Sequence, residues 1–360
     1  MHKYRKDFPI LNQHTYLNTA ASGILFDSLL EHRQEHDLDF LIGGSIFRED
    51  RNDYLLETRE TIAQFFNHKK EEVVLVPNFS IGFNTILSGL DKEKRIMLLD
   101  EDYPSINHAV ITKGFKYCFA KVDEHTEENI IENINKEKPD VFAFSLVQYI
   151  SGLSLSNDFI KDLKSQFPNL LIIADGTQCC GVRKIDFAAS GIDILGCSGY
   201  KWLLGGYGNG FFMFKENILE EITPTLYKNE QNNSSYDPSY TNLQARFECG
   251  HLDTLNFSSL THSLQYLDKV GIENIEAHTI NLSNLLREKL LDLELLDKTM
   301  RERTSLSTIF NIKGDIHLYK KLEENNLITS LRGEGIRISL HFYNNEEDLD
   351  KLMMLLNRYR

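Results

Sequence analysis

The residue best suited to covalent chemistry is Lys201, in the stretch "SGYKWLLGGYGNGFFMF" (198–214). It follows a short apolar run, adjoins the chain's one tryptophan and leads into a glycine-dense turn. A lysine headed for the interior is costly unless paired, neutral or covalently used, because burial penalises its ammonium form. Other chemically able side chains also follow apolar runs. Asp175 and Gln178 close "LLIIADGTQ", Gln148 closes "SLVQ", and Tyr103 sits in "DEDYPS". Ser80 and Gly82 follow "VPN" and open a helical pattern, where backbone N–H groups can hold an anion such as a phosphate. Each has a plainer reading: Asp175 and Ser80 as helix caps, the glutamines as partners for strand-end backbone, Tyr103 as turn packing, Lys201 as a snorkelling surface residue. Their joint occurrence at successive strand ends favours a site.

The elements that would position them are strands read near 72–78, 95–101, 141–148, 170–176, 192–198 and 210–214. Several are continuously apolar, as in strands covered on both faces. Amphipathic segments such as 53–66 lie between them, and this alternation marks an α/β domain with a mainly parallel sheet. Ligands in such sheets bind outside the carboxyl ends of the strands. From about residue 226 the texture changes: "LYKNEQNNSSYDPSY" reads as a loop, 256–295 as helical, and the remainder as a smaller α+β region. "GIRISLHF" (335–342) alternates, with Ile336, Ile338, Leu340 and Phe342 on one face and Arg337, Ser339 and His341 on the other. Asn345 is placed to cap the last helix.

In order and spacing, "ADGTQCCG" followed by "SGYKWLLGG" resembles the class V aminotransferase family of fold-type-I pyridoxal phosphate enzymes. The likeness runs from "YLNTAASG" (16–23) to "GIRISLHFYNNEEDLDKL" (335–352). The family includes cysteine desulfurases, selenocysteine lyases, kynureninases and isopenicillin-N-epimerase-like proteins. The resemblance implies a large cofactor-binding domain over 15–250 and a small domain of 251–360 with 1–14. It implies that Lys201 forms the internal Schiff base with pyridoxal 5′-phosphate and then shuttles the proton at the substrate Cα. Asp175 would pair with the pyridinium nitrogen, Gln178 with the phenolic oxygen, and Gln148 would face the ring. Ser80 and Ser198, with the N–H groups of Ile81 and Gly82, would bind the phosphate, and Tyr103 would stack on the ring. Arg337 matches the arginine that grips the substrate α-carboxylate, a task suited to its planar fork; Arg332 is a weaker candidate. "RFECGHLDT" (246–254) resembles a segment that meets the partner subunit's phosphate in dimers, although His251 and Leu252 replace the usual Thr-Pro.

The expectation is therefore an enzyme acting on an amino acid, with an aminotransferase-type reaction first and a C–S lyase or epimerase as alternatives. The region before Arg337, "EENNLITSLRGEGIRIS", holds no cysteine, which argues against passing sulfur to a protein thiol there. A homodimer is expected. The formal charge of -14 argues against nonspecific nucleic-acid binding. No stretch reads as a signal peptide or membrane span, so the default location is cytoplasmic. The five cysteines show no CxxC spacing, and no metal is expected. "HRQEH" (32–36) formally fits an inverted zinc-peptidase motif through His32 and His36, a remote alternative.

Overall fold

Strand-length apolar runs build one seven-stranded sheet in the computed structural model, which describes residues 1–47, 51–216, 218–224, 242–303 and 307–360. In chain order the strands are β1 (Thr15–Tyr16), β2 (Val73–Val76), β3 (Arg95–Leu99), β4 (Lys116–Ala120), β5 (Val141–Ser145) and β6 (Leu171–Asp175). They continue with β7 (Ile194–Ser198), β8 (Gly210–Phe214), β9 (Ile309–Lys313), β10 (Leu327–Ile328), β11 (Ser330–Arg332) and β12 (Gly335–Ser339). The large sheet runs β2-β8-β7-β6-β5-β3-β4, and only β8 lies antiparallel to its neighbours. Alternate residues feed two cores. Val74, Val76, Val141 and Ala143 point to one side, Val73, Leu75, Phe142 and Phe144 to the other. Covering both faces is why these strands read as unbroken apolar runs.

The edge strand β4 was not expected from the sequence. Lys116, Tyr117 and Phe119 are exposed, so it lacks the apolar signature of the interior strands. The helical stretch expected over 256–295 is two helices, Thr254–Val270 and Ile272–Asp292. They break at Gly271, whose φ of +91° only glycine adopts readily. The loop read at 226–240 lies outside the described residues.

The C-terminal part carries a second, antiparallel sheet, β11-β12-β9. The segment expected as a strand to 342 leaves the sheet after Ser339. Its polar face is as buried as its apolar one, with Arg337, Ser339 and His341 all nearly inaccessible. Arg337 meets the Tyr149 carbonyl and His341 the Trp202 carbonyl, while the N-terminal segment covers Ser339. β1 pairs with β10, Ser339 N–H donates to the Leu17 carbonyl, and Ala20 N–H donates to Ser339 Oγ. Arg5 adds a bidentate pair to Asp348 at 2.8 and 2.9 Å. Asn345 closes a capping box with Asp348 on the last helix, as its sequence position suggests.

Candidate active site

Because β2, β3, β5, β6 and β7 are parallel, their carboxyl ends open on one rim, and a cavity of about 470 Å³ lies there. Of the expected residues, Ser80, Ile81, Tyr103, Asp175, Gln178, Ser198 and Lys201 line it. Lys201 follows β7, only 6% exposed, with its Nζ 5.6 Å from the centre of the Tyr103 ring. Burial depresses its pKa to about 8; the Asp175 carboxylate pulls it up and the Arg337 guanidinium pushes it down. Asp175 ends β6 and is buried too. Desolvation raises its pKa, while the Thr177 N–H at 2.8 Å and the charge of Lys201 hold it back. An amine held close to neutrality thus shares a low-dielectric cavity with a carboxylate.

The loop carrying Lys201 is fixed from two sides. Trp202 is fully buried and its Nε1–H donates to Gln178 Oε1 at 2.9 Å. Gln178 Nε2 donates in turn to the Ala20 carbonyl at 3.2 Å, so one amide ties the lysine loop to the N-terminal segment. Gly23 closes the other side. Its N–H donates to the Tyr200 carbonyl, and a Cβ there would lie 2.2 Å from the Lys201 carbonyl oxygen. Beyond the lysine, Leu204, Gly206 and Gly208 all take positive φ, which lets the chain reverse into β8.

Opposite the lysine, the helix Phe79–Gly89 points its N-terminus at the cavity. Asn78 caps it by accepting the Ile81 N–H at 3.0 Å, and its carbonyl takes the Gly82 N–H at 3.3 Å. Phe79 N–H donates to Ser198 Oγ at 2.9 Å. Among the described residues the Ser80 N–H has no acceptor, and the Ser80 hydroxyl donates to Ser105 Oγ at 2.7 Å. The anion-binding end expected from the sequence therefore exists. Its free donor is the Ser80 amide, whereas the Ile81 and Gly82 amides are engaged in the cap. Gly82 lies beneath the site, where a Cβ would enter the Phe212 ring.

Gln148, Gly82 and Arg337 are buried and not among the residues that line the cavity, whereas Ser145 and Tyr149 beside Gln148 are; Gln148 Nε2 has no partner among the described residues. Arg337 is 2% exposed, donates from Nη1 to the Tyr149 carbonyl at 2.5 Å and leaves Nε without a partner. Its pKa falls to about 10, chiefly through burial. Asp102 went unremarked in the sequence. It is wholly buried and accepts Ser145 N–H, Ser145 Oγ–H and Tyr103 N–H at 2.6–2.7 Å, thereby fixing the ends of β3 and β5. The acid run "DEDY" was its only signal, and burial could not be read from it.

The two histidines of the zinc motif are engaged elsewhere. His32 Nε2 meets Ser258 Oγ at 3.0 Å and His36 Nε2 meets Thr254 Oγ1 at 2.9 Å, both on a facing helix. No cluster of metal-ligating side chains occurs among the described residues.

The chemistry of the donor set fits pyridoxal 5′-phosphate. A near-neutral amine suits its aldehyde, a buried carboxylate its ring nitrogen, and a free helix N-terminus with two serines its phosphate. The sequence profile of the family described as Aminotransferase class-V matches residues 15–352. A probable cysteine desulfurase of Methanothermobacter thermautotrophicus is 23% identical, over 97% of this chain and 95% of its own. An uncharacterized aminotransferase of Bacillus subtilis is 22% identical, over 96% and 95%. Among solved structures, the cystine C–S lyase C-DES, in complex with its reaction product cysteine persulfide, superposes with a TM-score of 0.85 at 22% identity, covering 98% and 99%. The chain belongs to the class V aminotransferase family, and its cofactor is pyridoxal 5′-phosphate.

Proposed function

We propose that this protein is a pyridoxal-phosphate-dependent C–S lyase that cleaves a cysteine-derived amino acid and releases the sulfur on a small molecule. The observation that carries this reading is the distribution of thiols around the cavity. The chain before Arg337 is a tight turn, with Arg332 opposite Gly335, and it holds no cysteine. Cys179, Cys180 and Cys197 are buried with their pKa values raised, Cys118 is half-buried, Cys249 is exposed in the segment that leads to His251, and none of the five lines the cavity. A thiolate is the sulfur acceptor that protein-bound transfer requires. Relatives named as probable cysteine desulfurases and a cystine lyase of the same fold support sulfur chemistry more than the aminotransferase reaction put first by the sequence resemblance.

When bound, the cofactor supplies an aldehyde that captures the substrate amine and a ring that accepts an electron pair. The Lys201 amine takes the proton from the substrate Cα, helped by its depressed pKa. The C–S bonding pair leaves with sulfur, and water converts the remaining three-carbon fragment to pyruvate and ammonia. With cystine, the sulfur product is cysteine persulfide. Asp175 would keep a proton on the ring nitrogen, the Ser80 amide and hydroxyl with Ser198 would hold the phosphate, and Gln178 and Tyr103 would meet the ring and its phenolic oxygen. Arg337 offers its free Nε edge to the α-carboxylate.

The test is product analysis with purified holoprotein and no keto acid. Sustained release of pyruvate, ammonia and a persulfide from cystine is the expected result. A single turnover that stops at the pyridoxamine form would overturn the lyase in favour of transamination.

We further propose a working homodimer. The end of the helix Asp27–Gly43 exposes Leu38, Phe40, Leu41 and Ile42, beside a groove of about 710 Å³ flanked by His251 and Leu252. A second copy would cover this face and bring His251 toward the partner's phosphate. The division into 15–250 and 251–360 with 1–14 is kept on the same footing, supported by the pairing of β1 with β10 and of Arg5 with Asp348. No helix among the described residues is long and apolar enough to cross a membrane.

A further inference from the structure

The peptide carbonyls on either side of Lys201 are each held by a donor from a distant part of the chain. The Tyr200 carbonyl accepts the Gly23 N–H at 2.8 Å, and the Trp202 carbonyl accepts His341 Nε2–H at 3.0 Å. The first donor is backbone. The second is a side chain, and among the described residues it is the only donor that the Trp202 carbonyl meets. His341 is fully buried, and burial pushes its pKa down to about 3, so the imidazole is neutral. Its tautomer is fixed as well. A carbonyl can only accept, which places the proton on Nε2, and Nδ1 accepts the Phe342 N–H at 2.7 Å. On the other side of the same peptide, a Cβ at Gly181 would lie 2.3 Å from the Trp202 carbonyl oxygen.

His341 also completes a closed circuit of buried hydrogen bonds. Trp202 Nε1–H donates to Gln178 Oε1, Gln178 Nε2–H to the Ala20 carbonyl, and Ala20 N–H to Ser339 Oγ. Ser339 and His341 lie on one short segment, so the chain itself closes the circuit. All five residues are buried, so a donor lost here leaves its acceptor without solvent to replace it.

We propose that His341 is a positioning residue for the chemistry at Lys201: by holding the Trp202 carbonyl it fixes the peptide that aims the lysine amine into the cavity. His341 does not line the cavity and acts only through Trp202. The inference rests on reading Lys201 as the residue that takes the cofactor aldehyde and the substrate Cα proton. Among the described residues Lys201 Nζ has no hydrogen-bond or ion-pair partner, so its direction comes from the backbone beneath its flexible four-carbon stem. A displacement of about 1 Å at a catalytic group, caused from a distance, can cost about 100-fold in rate. A neutral donor suits the task, because a cationic one would depress the protonation of the nearby lysine further.

The test compares His341→Gln, whose amide nitrogen reaches the place of Nε2, with His341→Leu, which has no donor. The first readout needs no substrate: the rate at which apoprotein takes up pyridoxal phosphate, followed by cofactor absorbance. His341→Leu should slow uptake roughly 10- to 100-fold, and His341→Gln should recover most of the loss. The second readout is exchange of the Cα proton of L-alanine by the holoprotein in deuterated water, which reports proton transfer whatever group a better substrate would lose. His341→Leu should slow exchange by a similar factor, with the half-saturating alanine concentration little changed. Wild-type rates in His341→Leu, with only the urea midpoint lowered, would overturn the inference and leave the histidine to the fold. Equal losses in His341→Gln and His341→Leu would overturn it too. If His341→Leu does not fold, His341→Asn takes its place, since its shorter amide stops at the position of Nδ1. Lys201→Ala keeps the premise apart from the inference. If borohydride still fixes the cofactor covalently to that variant, the lysine assignment fails and the inference with it; wild-type rates in the His341 variants alone defeat only the inference.

Discussion

Two of the buried charged clusters among the described residues are built in opposite ways. In the first, Arg59 Nη2 meets Glu248 Oε2 at 2.5 Å, and Glu248 Oε1 accepts the Leu75 N–H at 2.8 Å. Burial pushes the Glu248 pKa up, but a guanidinium and a backbone amide pull it back. In the second cluster, Lys201, Asp175 and Arg337 are equally buried, yet no two of them form an ion pair. Lys201 Nζ lies 5.6 and 5.4 Å from the centres of the Tyr103 and Tyr200 rings. The first cluster ties the helix Arg51–Phe65 to β2 and finishes its own electrostatics. The second leaves charge that the fold itself does not answer, and so it waits for a ligand. Burial alone does not separate a structural ion from a functional one; satisfaction does.

Substitutions can break this contrast. The largest effect is expected at Lys201. Lys201→Ala should lower turnover by about 10⁴-fold or more, because nucleophile and proton carrier vanish together. Its urea midpoint as apoprotein should not fall, since a buried ammonium without a direct partner is removed. A clear loss of stability would place Lys201 with the structural cluster. Next comes Arg59→Ala, which strands the Glu248 carboxylate and should cost about 3–5 kcal/mol of unfolding free energy. The kcat/KM of the protein that remains folded should stay at the wild-type value. A specific kinetic defect would mean that the pair reaches the site after all.

The same contrast explains what the sequence disclosed. The strands β2, β3, β5, β6, β7 and β8 were legible because each is covered on both faces and reads as an apolar run. The edge strand β4 was not, because Lys116, Tyr117 and Phe119 face outward. The lysine, Asp175 and the serines were legible because a parallel sheet delivers its strand ends to one rim, so order along the chain becomes position in space. Gln148 shows the limit of that rule, since its neighbour Tyr149 lines the cavity and Gln148 does not. The contacts that hold the site together are non-local. Gln178 to Ala20, Gly23 to Tyr200 and Ser339 to Ala20 join segments far apart in sequence, with no periodicity to announce them. Arg337 was legible as a polar-face residue of an alternating strand, but its burial was not. The Tyr149 loop, the Trp202 carbonyl and the N-terminal segment, which meet Arg337, His341 and Ser339 in turn, make that face an interior.

The smallest effect is also the one that sharpens the contrast most. Only a neutral amine attacks an aldehyde, so the uptake of pyridoxal phosphate by apoprotein reports the protonation of Lys201. With its pKa lowered to about 8, uptake should rise about tenfold per unit below that pH and level off above it. A solvated lysine would keep climbing toward its ordinary value of about 10.4. Asp175 raises the lysine's pKa, so Asp175→Asn should move the plateau to lower pH and speed uptake at pH 7, although the cofactor is then held less firmly. Linkage supplies a check without cofactor. Between about pH 8 and the ordinary lysine value, the unfolded chain retains a proton that the folded chain has lost, so apoprotein stability should climb with pH through that window. Lys201→Met should flatten the climb. A climb unchanged in the variant would assign the proton to another group and remove the premise that this lysine is held near neutrality by its burial.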